Sequence, residues 1–169
     1  MVTDHGSPPG ERVVVGIGEY AVTRGPDAEL VTHGLGSCVV VCLWDEVSRV
    51  AGMLHFLLPE AALDPERAAR QPATFADSGI PLLFQEAYRS GAEKSRLRVR
   101  LLGGAAINGG PGGIDIGRRN GSAAKKLLWH YGVLVHAEAL GGTDARSVSL
   151  SAADGRVIVR RRREVVQEL

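Results

Sequence analysis

Over the first third of the chain the apolar residues come in short β-branched runs, not in long helical stripes. Residues 12–23 (RVVVGIGEYAVT) and 30–33 (LVTH) have the alternation and branching of strands, with GPDAE as the turn between them. Two denser runs follow, residues 38–44 (CVVVCLW) and 49–58 (RVAGMLHFLL), separated by the polar DEVS. That arrangement predicts a β-hairpin. Both faces of the hairpin are apolar, as in strands covered on both sides, and helices are expected to supply the covers.

The period then changes. Residues 77–91 (DSGIPLLFQEAYRSG) set Ile80, Leu83, Phe84, Ala87 and Tyr88 at helical spacing, with Asp77 or Ser78 as N-cap and Gly91 past the end. Residues 120–132 (NGSAAKKLLWHYG) predict a second helix that stops at Gly132. Strands are expected over 96–104, 132–140 and 146–151, and Asp154-Gly155 turns the chain into a last strand at 156–161. No internal repeat is visible. The pattern as a whole predicts one α/β domain over residues 12–169, with a mixed or antiparallel sheet, behind a flexible tail of residues 1–11.

Composition narrows the function classes. A chain of 169 residues buries roughly 70% of its unfolded surface, so its core needs no covalent staples. Twenty basic and nineteen acidic side chains leave a net charge of +1, which supplies no field for a nucleic-acid partner or an anionic membrane. The longest apolar run, VVVCLW, is far below the ~20 residues of a membrane-spanning helix. The N-terminus lacks a signal pattern, so a cytoplasmic protein is expected, with no membrane insertion. On one extended strand Cys38 and Cys42 would lie about 13 Å apart, beyond the roughly 7 Å limit of a disulfide. Both are expected as free thiols.

Other motifs carry less. GIGEYA, residues 16–21, has the spacing of a dinucleotide fingerprint, but the β-branched and Gly-Pro-broken segment after it cannot form the required helix. The glycine-dense loop 103–117 lacks the Gly-Lys-Ser/Thr ending of a phosphate loop. His130 and His136 have no second ligand at metal spacing. Neither a metal nor a cofactor is called for. The run Arg160 to Arg163 reads as a solvated edge that discourages sheet pairing.

One constellation points to chemistry. If the hairpin closes symmetrically about DEVS, Trp44 faces Arg49 and Cys38 faces His55, with Cβ atoms about 4.5–5.5 Å apart. A slip of two residues would leave the pair diagonal on the same face. An imidazole beside a thiol takes its proton, and the pair suits attack on a carboxamide or ester carbonyl. The preceding GLGS allows close backbone approach and N–H groups aimed at an oxyanion. The pair is expected at the open rim of a sheet. Cysteine is also among the most buried residue types, and from the residues alone a core role for both side chains stays open. His33 is the competitor for His55, but alternation along VTHG turns it away from Thr32's face.

GIGEYAV, VTHGLGSCVVVCLWDEVSRVAGMLHFLLPE, FADSGI, LLGGAAI, IGRRN and GGTDARSV, in that order over most of residues 13–160, together resemble the chemoreceptor glutamine deamidases of bacterial chemotaxis, the CheD family. The resemblance implies Cys38 as nucleophile, His55 as its base and Thr32 as the third member, orienting the imidazole through its hydroxyl or its backbone carbonyl. It implies a three-layer α/β sandwich with mixed sheets and flanking helices, similar to the catalytic domains of the cytotoxic necrotizing toxins. The implied activity is conversion of selected glutamines on the cytoplasmic helices of methyl-accepting chemotaxis receptors to glutamate, with release of ammonia. The implied second partner is a CheC-type phosphatase. A non-catalytic module that regulates such a phosphatase is the alternative. The glycine-rich loop departs from the family pattern and bears on partner contacts, not on the nucleophile.

Overall fold

The computed structural model describes residues 10–107 and 115–169. Of the segments singled out above, residues 1–9 of the tail and 108–114 of the glycine-rich loop lie outside the described residues. Gly10 N–H donates to Asp27 O and Glu29 N–H to Glu11 O.

Among the described residues ten strands form two five-stranded mixed sheets. The first sheet contains β1 (Arg12–Val14), β3 (Glu29–Leu35), β8 (Arg146–Ser151), β9 (Val157–Arg161) and β10 (Glu164–Glu168), in that order. The second runs β2 (Glu19–Arg24), β5 (Val50–Phe56), β4 (Val39–Asp45), β6 (Arg98–Gly103) and β7 (Val135–Leu140). β1 pairs with β3 and β6 with β7 in parallel, and the remaining pairs are antiparallel. The described residues also form three α-helices: α1 (Pro65–Arg70), α2 (Ala76–Arg89) and α3 (Ile116–His130). The layers are sheet, sheet and helices, a three-layer α/β architecture.

β4 and β5 are buried along their whole length, as their two-sided apolar pattern requires. The covers are not both helical, however. On one face Val39, Val41, Leu43 and Leu54 pack against Ile80, Leu83 and Phe84 of α2 and Ala124 and Leu128 of α3. On the other, Val40, Cys42, Trp44 and Met53 pack against Leu30, Val148, Leu150, Val157 and Val159 of the first sheet. A half-exposed partner sheet is as good a lid as a helix, and its inward residues hide in shorter, alternating strands.

The hairpin register differs from symmetric closure about DEVS. Asp45 pairs with Val50 and Val40 with His55, so the loop is Glu46 to Arg49, one residue further on. The cause is local. Asp45 stays in the strand because its carboxylate accepts the N–H groups of Val47 and Ser48 and the Arg96 guanidinium, while Arg49 takes φ +56° to close the turn.

The helix ends and the last strand also differ from the expectation. α2 is capped by no side chain. Asp77 instead accepts Ala61 N–H, and the Ser78 hydroxyl donates to Pro72 O. α3 begins four residues before Asn120, capped by Asp115 on Arg118 N–H. After β9 the arginine run is not a terminal edge. Arg162 and Arg163 take φ +49° and +74°, a hairpin turn that leads into β10.

Candidate active site

Cys38 lies one residue before β4, at the end of the turn Gly36-Ser37-Cys38 that follows β3. His55 is the penultimate residue of β5. Because His55 pairs with Val40, Cys38 is its diagonal neighbour across the β4–β5 ladder, on the face turned to the first sheet. Diagonal side chains stand roughly 7–8 Å apart at Cα, still within reach of each other. The two-residue difference in register keeps both groups on one side, because the side-chain period is two.

Thr32 comes from the other sheet. Its hydroxyl donates to Val15 O at 2.6 Å and contacts His55 Nδ1 at 2.8 Å. A hydroxyl has one proton to give, and a carbonyl can only accept it. His55 Nδ1 must therefore carry a hydrogen and donate to Thr32 Oγ1, leaving Nε2 with a free lone pair. Nε2 is buried and without a hydrogen-bond partner among the described residues. The contact from Thr32 to the ring is made by its hydroxyl and not by its backbone carbonyl.

Burial sets the charge state. His55 is fully enclosed, and the loss of solvation lowers its pKa to about 4. Burial also pushes the Cys38 thiol up, and its own backbone N–H against the sulfur offsets only part of this. Thiol and imidazole are thus neutral at pH 7. No hydrogen bond joins the two side chains. Only 5% of Cys38 is exposed, so the pair sits between the sheets and not at an open rim. Closure comes from the partner sheet, which the expectation of helical covers left out.

The turn before the thiol is pinned by its carbonyls. Gly36 O accepts Ala105 N–H at 2.9 Å, and Cys38 O accepts Gly104 N–H at 2.8 Å. Ser37 O accepts the Asn120 side-chain amide at 3.0 Å, and the same Nδ2 donates to Leu57 O at 2.8 Å. Asn120 is fully buried. From the sequence Asn120 reads only as the start of a helix, although an asparagine that falls on the apolar side of α3 is a polar group in need of buried partners. Gly103 shows how tight this corner is: at φ +102°, a Cβ there would stand 2.3 Å from Cys38 O.

The other candidates separate from this cluster. His33 is exposed, with Nδ1 at 3.2 Å from Ser147 Oγ. His136 Nδ1 accepts Val99 N–H, and His130 is exposed at the end of α3. Cys42 is fully buried and unpaired to Cys38, with its thiol pushed up to about 12 by burial. GIGEYA leads into β2, not into a helix. Among the described residues no group of His, Cys, Asp and Glu is placed to hold a metal, and no helix is long and apolar enough to cross a membrane.

Residues 57–161 match the family model described as CheD chemotactic sensory transduction. The chain belongs to the CheD family. It is 52% identical over 147 residues to the probable chemoreceptor glutamine deamidase CheD 2 of Anaeromyxobacter dehalogenans, covering 87% of this chain and 92% of that one. It is 40% identical over 148 residues to the chemoreceptor glutamine deamidase CheD of Thermotoga maritima, covering 88% and 90%. Among solved structures, the hypothetical protein YfiH of Bacillus licheniformis matches with a TM-score of 0.46 and 13% identity, over 73% of this chain and 51% of that one.

Proposed function

We propose that this CheD-family protein is a cytoplasmic chemoreceptor glutamine deamidase, with Cys38 as nucleophile, His55 as general base and acid, and Thr32 as the residue that orients the ring. The observation that carries the reading is the Thr32–His55 hydrogen bond. It fixes the tautomer that leaves Nε2 free on the face that Cys38 shares.

In the reaction His55 Nε2 takes the thiol proton as Cys38 Sγ bonds to the glutamine side-chain carbon, and the carbonyl oxygen becomes an oxyanion. The imidazolium returns the proton to nitrogen, the C–N bond breaks and ammonia leaves. Water then attacks the thioester, giving its proton to His55. The C–S bond breaks, glutamate is released, and the proton on the ring restores the thiol. A neutral resting pair suits this sequence, because the proton moves only when the carbonyl is in place.

The natural substrate is the helical cytoplasmic part of a methyl-accepting receptor, and a CheC-type phosphatase is a second partner. The enzyme incubated with folded receptor cytoplasmic fragments should produce the amide-to-acid mass increase at selected glutamines, read by peptide mass spectrometry. Cys38→Ala should abolish it and leave phosphatase binding intact. No mass change with the wild-type protein would overturn the enzyme reading in favour of a binding module, and cleavage of the receptor chain would point to a protease.

A further inference from the structure

The peptide that links Ser37 to Cys38 is held from outside the site. Its carbonyl points to Asn120 of α3, in the helical layer, while the thiol faces the opposite way, toward the first sheet. In a trans peptide C=O and N–H point in opposite directions, and the described chain has no cis bonds. A carbonyl fixed on the helix side therefore turns the Cys38 N–H to the side of the thiol. Among the described residues neither the Ser37 nor the Cys38 N–H has a hydrogen-bond acceptor.

Asn120 does a second thing with the same nitrogen. By donating also to Leu57 O, it ties the nucleophile's turn to the end of the strand that carries His55 two residues earlier. Both partners of Nδ2 are carbonyls, so the orientation of the amide is forced. Neither oxygen could be satisfied by the Oδ1 side, which itself lacks a partner among the described residues. A fully buried amide with an orphaned acceptor costs stability, and an apolar residue on this face of α3 would pack without that cost.

We infer that Asn120 is a positioning residue for deamidation, which holds the Ser37–Cys38 peptide so that the Cys38 backbone N–H is aimed at the oxyanion formed from the substrate carbonyl. The inference rests on the glutamine-deamidase reading of the site. Asn120 touches no reacting atom. It acts through one peptide plane, and its loss is felt where negative charge develops.

The test compares wild type with Asn120→Ala and the near-isosteric Asn120→Asp, using a receptor cytoplasmic fragment as substrate and iodoacetamide as a probe of the thiol. Alkylation forms no oxyanion on a carbonyl carbon and needs no such donor. Both variants should lose about 10²- to 10³-fold in kcat, the usual effect of a misplaced oxyanion donor, with KM unchanged and the alkylation rate and its pH profile close to wild type. Retained kcat in a folded variant, or a parallel fall in deamidation and alkylation, would overturn the inference. An inactive wild type would instead defeat the deamidase reading itself. Should both variants fail to fold, wild type decides: when a glutamine-derived peptide aldehyde adds to Cys38, the Cys38 amide proton should move downfield in the NMR spectrum while the Asn120 side-chain protons keep their shifts. A Cys38 amide that does not respond, or Asn120 protons that do, would reject it.

Discussion

Thr32 and His55 belong to different sheets, yet a 2.8 Å hydrogen bond joins them. The proposed base is therefore aligned by the packing of one sheet on the other, with Val15 O behind the threonine as the final acceptor. Anything that loosens the inter-sheet core loosens the tautomer of the ring.

Replacement of Thr32 by Val should separate shape from hydrogen bonding. It would orphan His55 Nδ1–H and Val15 O, an effect of ~1–3 kcal/mol for a buried group. The ring could then populate the tautomer with hydrogen on Nε2, which has no lone pair there for the thiol proton. We expect kcat to fall roughly 10- to 100-fold, the equivalent of that energy in rate, with Thr32→Ser restoring most of it. An undiminished kcat in Thr32→Val would show that the hydroxyl does not set the ring.

The buried ring also makes stability depend on pH. Because the folded pKa of about 4 lies below the ~6.5 of a free histidine, the unfolded chain binds a proton that the folded chain refuses throughout that interval. Stability is then complete above about pH 6.5 and declines as pH falls toward 4, by up to ~1.4 kcal/mol per unit. Between pH 7 and pH 5 wild type should lose about 2 kcal/mol more than His55→Gln, which has no such group. Denaturant titrations at the two pH values measure the difference, and equal losses would mean that the ring is not held neutral.

Much of this arrangement was legible in the sequence, and the gaps have physical causes. The apolar runs at 38–44 and 49–58 marked the hairpin and put Cys38 and His55 on one face, because a period of two survives a two-residue error in register. The error came from Asp45, a loop-type residue that stays in the strand by collecting N–H groups and a guanidinium. The turn at Arg162 and Arg163 escaped notice because positive φ is normally announced by glycine or asparagine. Asn120 was hidden for another reason. Its partners are carbonyls 83 and 63 residues away, and no local pattern records a backbone acceptor.

Thiol reactivity should distinguish the two cysteines. Cys42 is fully enclosed and its thiol is pushed up to about 12, whereas Cys38 keeps a small exposure at the turn. In the folded protein iodoacetamide should modify Cys38 alone, slowly, and faster as pH rises, since the thiolate is the reactive form. Cys38→Ala should take up no label until denaturant is added, when Cys42 becomes available. Label on Cys42 in the native protein would contradict its enclosure between the sheets.

The turn at the far end of the hairpin offers a control in which stability and catalysis part. Asp45 is completely buried, and its carboxylate accepts from the N–H groups of Val47, Ser48 and Glu93 and from Arg96, with Arg96 Nη2 at 2.9 Å. Burial pushes the carboxyl up, but the Arg96 bonds and then the three N–H groups outweigh it and hold the acid well below the usual carboxylate range. Asp45→Ala would leave three backbone donors and a guanidinium without their acceptor. Removing one member of a buried pair costs ~3–5 kcal/mol, and partial exposure of Arg96 puts this case at the lower end. The midpoint of denaturation should fall at constant m, and Asp45→Asn, which keeps one acceptor oxygen, should lose less. Seven residue steps along the extended chain separate Asp45 from Cys38, roughly 23 Å, so kcat of the folded fraction should match wild type. A large fall in kcat would mean that hairpin register is transmitted to the thiol, and that the turn belongs to the catalytic unit.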